Sequence, residues 1–336
     1  MKRAVVTGPT GAVGRALLKR LLSEGIEVLA LCRPGSGRSA DIPDHPLLTK
    51  AEAGLEDYAA LAEREDAFGE LWGKAPGEAG LNREKPWDVF YHLAWEGTTG
   101  AERNDVTLQL SNAAHALDAV RLAKRLGCTA FIGAGSQAEY GRCEGTLKPD
   151  TPAFPQTGYG MAKLAAGQMS RLLCAQLKLR HVWARILSVY GPWDTERSMV
   201  MSAIEALLYG KKPSLTKGEQ RWDYLYSEDA AEALYLLGER GQDGKIYCLG
   251  SGSAKKLREY MMQIRDAVSA LTGVSKEKLP LGIGELPYAK DQVMYLCADI
   301  ADLRRDTGFS PRWTFDAGIR KTAEFVKLQE EGQKRT

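Results

Sequence analysis

The stretch Ala4-Val5-Val6-Thr7-Gly8-Pro9-Thr10-Gly11-Ala12-Val13-Gly14 decides the fold. Three small apolar residues make a short buried strand. From Ala12 to Ser23, the residues Val13, Ala16, Leu17 and Leu21 share one face of a helix. Between the two elements the glycines recur as Gly8-x-x-Gly11-x-x-Gly14. Glycine permits a tight turn and lets the backbone approach an anion, and the helix start offers free N–H groups and a positive dipole end. Strand, glycine turn and helix in that order predict a dinucleotide-binding unit, with contacts from Gly8, Thr10, Gly11, Ala12, Val13 and Gly14.

The same alternation continues outward from this unit. Glu27–Cys32, Val89–Ala94, Thr129–Ile132 and His181–Leu187 read as strands, and Thr107–Leu126 and Gly160–Leu177 as helices. Strands separated by helices predict an α/β fold, a doubly wound parallel sheet of the Rossmann type. Residues 73–85, rich in glycine, proline and charge, read as an exposed loop. After Gly191 the helices are separated by longer irregular segments. The expected organisation is a dinucleotide-binding domain over residues 1–190 and a smaller substrate-binding lobe over 191–336, with Lys245–Leu249 returning to the sheet.

Two further clusters carry chemistry. At the end of the second strand, where an acid would favour NAD through the ribose hydroxyl, stand Arg33 and, a turn later, Arg38. Guanidiniums make charge-assisted, bidentate contacts with phosphate oxygens, so NADP(H) is the expected cofactor and NAD(H) the alternative. Tyr159 and Lys163 lie four residues apart at the start of a helix and so share a face. A nearby ammonium lowers the pKa of a phenol, which can then exchange a proton with a carbonyl or alcohol oxygen. Ser136 follows a strand at the sheet edge where ligands bind.

Together these motifs resemble the extended short-chain dehydrogenase/reductase family. The resemblance rests on the glycine turn, His92-Leu93-Ala94 after a strand, Ser136 before Tyr140-Gly141, and Tyr159-x-x-x-Lys163. Arg185 to Pro192, Arg221 to Ala230 and Ala298 to Arg304 are similar to its nucleotide-sugar branch, so the likeness runs to about residue 327. It implies Ser136, Tyr159, Lys163 and Asn112 as catalytic residues, and Leu93, Ala94 and Lys163 as further cofactor contacts. Trp95, Gln137, Glu139, Ser188, Arg221 and Trp222 are the implied substrate contacts. The family's 4,6-dehydratases carry an Asp-Glu pair where this chain has Gln137-Ala138, which argues against dehydration. Ser188 replaces the family's usual asparagine. The segments around Trp95, Glu139 and Trp222 look most like 4-ketoreductases of the CDP-abequose or CDP-paratose synthase kind. The resemblance therefore implies NADPH-dependent reduction of the C4 ketone of a nucleotide-diphosphate 4-keto-6-deoxy sugar. An NAD-dependent 4-epimerase is the alternative within the family, and a dinucleotide-sensing scaffold without chemistry the alternative outside it.

Composition narrows the partners. With 45 basic against 43 acidic residues the net charge is +2, which gives no reason to expect nucleic acid or an anionic membrane surface. The six cysteines lack metal or redox spacing, so no metal is expected. No signal peptide and no membrane-spanning run is readable, and the expected setting is cytoplasmic. The resemblance implies a homodimer.

Overall fold

The computed structural model describes residues 1–64, 86–290 and 292–333. The loop expected at 73–85 lies outside the described residues. The strands run β1 (Arg3–Thr7), β2 (Glu27–Cys32), β3 (Leu48–Glu52), β4 (Val89–His92), β5 (Ala130–Ser136), β6 (Arg180–Ile186), β7 (Ser188–Tyr190), β8 (Ser214–Leu215), β9 (Arg221–Trp222), β10 (Tyr224–Tyr226), β11 (Lys245–Leu249), β12 (Lys255–Lys256), β13 (Gly282–Ile283) and β14 (Tyr295–Leu296). The helices are α1 (Ala12–Ser23), α2 (Tyr58–Glu63), α3 (Val106–Arg125), α4 (Gly158–Leu177), α5 (Met199–Leu208), α6 (Ser227–Arg240), α7 (Leu257–Thr272), α8 (Ala301–Thr307) and α9 (Phe315–Gln333).

Seven strands form one sheet in the order β11-β6-β5-β4-β1-β2-β3, and every pair in it is parallel. This is the doubly wound arrangement expected from the alternating sequence. Parallel strands covered on both faces must be apolar throughout, and all five residues of β1 are buried. On one face Leu17 and Leu21 of α1 meet Leu234 and Leu237 of α6. On the other, Leu61 of α2, Val120 of α3 and Cys174 of α4 pack around Phe90 and Phe131. The strand order reverses between β1 and β4, so the crevice for a ligand opens above their C-terminal ends.

The lobe has a separate core in which α5, α7 and α9 surround Tyr190, Tyr226, Tyr260 and Phe315. The short strands tie its loops: β7 pairs with β10, β8 with β13, and β9 with β12 and β14. Asp223 fixes two of these loops from a fully buried position. It accepts hydrogen bonds from the amides of Ser251 (2.8 Å), Gly252 (3.1 Å) and Ala298 (3.0 Å). As expected, β11 returns to the sheet, in register with β6 from Lys245↔Val182 to Leu249↔Ile186. Helix α6 returns with it and packs on α1, so the sheet layer takes more of the later chain than one strand. No described helix is long and apolar enough to cross a membrane.

Strand limits differ from expectation in places: β4 ends at His92 rather than Ala94, and β6 runs Arg180–Ile186 rather than His181–Leu187. The short edge strand β3 has no apolar alternation in its sequence to announce it, since Thr49, not an apolar residue, shares the buried face with Ala51. Strand β5 runs on to Ser136 rather than stopping at Ile132. Its glycines suggest a loop, yet Gly133 pairs with Trp183 and Gly135 with Arg185. The reason is packing: a Cβ at Gly133 would lie inside the van der Waals surface of the Trp183 indole, and one at Gly135 would strike the same ring and Glu139. Glycine makes this strand a floor for a buried tryptophan. Because Trp183 is only 1% exposed, Gly133→Ala is expected to destabilise the protein by roughly 1–3 kcal/mol through overpacking. An unchanged urea midpoint in chemical denaturation would contradict this account.

Candidate active site

The glycine turn is built as its sequence requires. Gly8 takes φ +65°, and a Cβ there would lie 2.8 Å from the Ala94 amide nitrogen, so β1 and the segment after β4 approach closely. A Cβ on Gly14 would overlap the Gly8 carbonyl. At Gly11, by contrast, a Cβ would meet only the Gly8 oxygen, at 3.9 Å. Gly11 caps α1 with no side-chain hydrogen bond. A glycine facing open space at an uncapped helix start fits a bound pyrophosphate. Ala12 and Val13 form the first turn, but the Val13 side chain packs on the core, so only its backbone faces this opening.

Thr7 locks the turn to β4. Its Oγ1 accepts hydrogen bonds from the Leu93 and Ala94 amides, each at 3.1 Å, and lies 3.2 Å from His92 Nδ1. Burial, then the nearby Lys163 charge, holds the His92 pKa down at about 3, so the ring is neutral and serves packing.

A cleft of about 240 Å³ runs from Gly8 and Thr10 past Arg33 and Arg38 to Ala94 and Trp95. Arg33 is 68% exposed and pairs with Glu96 across the opening at 3.5 Å. Arg15 holds the loop bearing Arg38: its guanidinium donates to the carbonyls of Arg38 (2.8 Å) and Asp41 (2.9 Å) and stacks on Trp193. Both predicted phosphate cations thus stand at the rim of the cleft that begins at the glycine turn.

The second cluster sits at the ends of β5 and α4. Thr157 caps α4, its Oγ1 accepting from the Gly160 amide at 3.1 Å, and Gly160 lets the helix start press against the Ala138 carbonyl. This brings the Tyr159 phenol close enough to Ser136 for the hydroxyl to favour the phenolate. Burial raises the phenol's pKa, while Ser136 and Arg103 oppose the rise. One turn on, Lys163 is 3% exposed and donates to the Ala134 carbonyl at 2.7 Å. Burial lowers its pKa to about 7, against the opposing charge of Glu139. The Trp95 indole covers the ammonium at 3.7 Å and stands edge-on to the Tyr159 ring.

Several predicted site residues do other work. Glu139, expected at the sugar, is fully buried. Its carboxylate accepts from the Ser136 amide (2.7 Å), Trp183 Nε1 (3.0 Å) and Arg185 Nε (2.7 Å), which leaves nothing to offer a substrate. Asn112, expected among the catalytic groups, clamps the backbone of Glu96 instead: Oδ1 accepts from its amide (3.1 Å) and Nδ2 donates to its carbonyl (2.9 Å). Asn112 therefore holds the segment that carries Trp95. Ser188 and Trp222 are bonded to each other, Nε1 to Oγ at 2.7 Å. Arg221 is exposed and donates to the Ala254 carbonyl at 2.8 Å. Gln137 is half-buried beside Ser136. Sequence reasoning missed Arg15 and Arg103. Both act through tertiary contacts, and neither stands in a motif that would single it out.

Comparison with known proteins places this arrangement in context. The model of the "NAD dependent epimerase/dehydratase family" matches residues 4–250. The chain is 26% identical to the dTDP-glucose 4,6-dehydratase of Neisseria gonorrhoeae, across 96% of this chain and 95% of that protein. Among solved structures, UDP-N-acetylglucosamine 4-epimerase from Methanobrevibacter ruminantium M1, in complex with UDP-N-acetylmuramic acid, superposes with a TM-score of 0.81 at 22% identity, covering 98% of this chain and 99% of that one. MoeE5 in complex with UDP-glucose and NAD gives 0.76 at 21% identity, covering 98% and 99%. At these identities the superpositions speak for the fold alone.

Two outcomes are expected from the buried charges. Glu139→Gln leaves the Arg185 guanidinium without its counter-charge and should cost about 3–5 kcal/mol, measured by chemical denaturation. Lys163 has a folded pKa of about 7 and an ordinary value of 10.5, so from pH 7 to 10 the unfolded chain binds the extra proton. Stability linked to this group therefore rises with pH across that window. The wild type should gain on Lys163→Met as pH rises, and a constant difference between them would exclude the effect.

Proposed function

The chain belongs to the NAD dependent epimerase/dehydratase family, and within it we propose that the protein uses NADPH to reduce the C4 ketone of a nucleotide-diphosphate 4-keto-6-deoxy sugar. The observation that carries this reading is the meeting of the Tyr159 phenol, the Ser136 hydroxyl and the buried Lys163 ammonium at the sheet edge beside the glycine turn. When bound in the cleft, the nicotinamide would supply the hydride. Ser136 donates a hydrogen bond to the ketone oxygen and holds it against Tyr159. Tyr159 gives that oxygen its proton as carbon gains the hydride, and the phenolate so formed is reprotonated from solvent. A phenol whose pKa burial raises starts the reaction protonated, which suits a donor. Lys163 holds the ribose end of the cofactor.

Arg33 and Arg38 at the cleft rim support NADPH through charge-assisted contacts with a 2′-phosphate. Reduction is favoured over dehydration because Gln137 and Ala138 carry no proton chemistry and the next carboxylate, Glu139, is held by Arg185. The nucleotide sugar is inferred from the relatives, whose names specify dTDP- and UDP-linked sugars. We also propose a cytoplasmic homodimer. Val106 and Leu110 of α3 and Met161, Met169 and Leu172 of α4 are exposed on two helices packed side by side, an apolar face suited to a second copy. The free thiols of all six cysteines suit a reducing compartment.

The test is NADPH oxidation against a panel of nucleotide 4-keto-6-deoxy sugars, with the product's C4 configuration read by NMR. Tightly bound NAD and interconversion of 4-hydroxyl epimers without net oxidation would establish the epimerase instead. Tyr159→Phe is expected to lower kcat by roughly 10²–10⁴-fold while leaving NADPH affinity unchanged in titration. Replacing Arg33 and Arg38 together by alanine should weaken NADPH relative to NADH by roughly 10–100-fold. Equal loss for both cofactors would remove the phosphate role.

A further inference from the structure

The segment Thr98–Asn104 lies against the catalytic cluster through Arg103 and the start of α4. Three anchors hold this segment and the residues leading into it. Gln109 Nε2 donates to the carbonyls of Gly97 (2.9 Å) and Glu102 (3.0 Å), and Asn104 Oδ1 accepts from the Gly158 amide at 3.1 Å, at the start of α4. Arg103 is itself braced, NH1 donating to the Thr98 carbonyl at 2.7 Å. Its guanidinium carbon lies 4.3 Å from the centre of the Tyr159 ring. The Lys163 ammonium is farther from that ring, at 5.9 Å, and is already engaged by the Ala134 carbonyl and the Trp95 indole.

We infer that Arg103 is a positioning residue for Tyr159, the cation that stabilises negative charge on its phenolate while Lys163 is turned toward Ala134 and Trp95. This rests on the proton-donor reading of Tyr159 given above. The physical reason is direct. A cation over an aromatic face is attracted by the ring's π electrons, and the attraction grows when the phenol loses its proton and the ring becomes an anion. Bracing by Thr98 keeps the planar guanidinium on the ring. The charged groups around the phenol are Arg103 from this segment, Lys163 from its own helix and Glu139 beyond Ser136. Of these, Arg103 favours the phenolate, and Glu139 opposes it.

The test needs no substrate, so it stands apart from the reductase assignment. Ultraviolet titration of phenolate absorbance in the wild type, minus that of Tyr159→Phe, isolates one phenol. The same difference is then taken in Arg103→Gln and Arg103→Lys backgrounds. Arg103→Gln is expected to raise the Tyr159 midpoint by about one pH unit or more, and Arg103→Lys to restore most of the shift. Arg103→Met, which keeps the aliphatic packing, replaces Arg103→Gln should that variant not fold. An unchanged midpoint in a folded, uncharged variant overturns the inference. So does a rise in KM for the sugar with no titration shift, which would make Arg103 a substrate contact. If the titration moves but no keto sugar is reduced, the inference holds and the reductase reading fails.

Discussion

One buried carboxylate organises the catalytic end of the sheet. Glu139 takes its hydrogen bonds from the backbone of Ser136, the indole of Trp183 and the guanidinium of Arg185, so it fixes two strands and the turn between β5 and α4 at once. A buried ion pair is weak evidence for net stability, since desolvation offsets the attraction. What it imposes is geometry. The Ser136 amide cannot shift without unpairing a charge in a dry interior, so the hydroxyl beside it is held where the Tyr159 phenol reaches. The glycines of β5 follow from the same constraint, because only bare backbone leaves room for the Trp183 ring that completes the set.

From that fixed end the other parts take their places. Thr7 pins the glycine turn to the segment after β4, and Asn112 and Gln109 pin the rest of the same segment to α3. A single stretch of backbone therefore touches both halves of the site: Glu96 meets Arg33 at the cofactor rim, while Trp95 and Arg103 meet Lys163 and Tyr159. The cleft and the Tyr159 cluster are coupled through this stretch rather than through the sheet alone.

Much of this was legible in sequence, and the reasons for the gaps are physical. β1, α1 and β2 declare themselves because local periodicity and burial agree; α1 and β2 have the expected limits, and β1 is one residue longer at each end. Tyr159 and Lys163 could be paired because a helix converts a spacing of four into a shared face. The end of β5 could not be read, since its glycines answer to a tryptophan some 50 residues away in sequence. The bonds that Glu139 and Asn112 make were not legible for a related reason. Their residue types suit ligand contact, and only tertiary structure shows that a guanidinium and a backbone segment already occupy them. Arg103 carries no sequence signal at all, because its role lies in which ring it happens to cover.

The return of α6 and β11 to the sheet bears on how the lobe can move. The chain leaves the sheet layer after Tyr190, re-enters it at Ser227, leaves again after Leu249, and returns once more where Leu296, Ala298, Ile300, Leu303 and Phe309 join the sheet's core before Phe315 enters that of the lobe. Two of these crossings lie side by side, because β7 and β10 are paired in register from Ser188↔Tyr224 to Tyr190↔Tyr226. A lobe tethered by a two-stranded ribbon and by the further crossings after Leu249, before Leu296 and after Phe309 has little freedom to swing open on a single flexible joint. Its available motion is a small roll or slide across the sheet edge, the shear type of closure rather than the hinge. The space between lobe and sheet is thus adjusted more than it is opened.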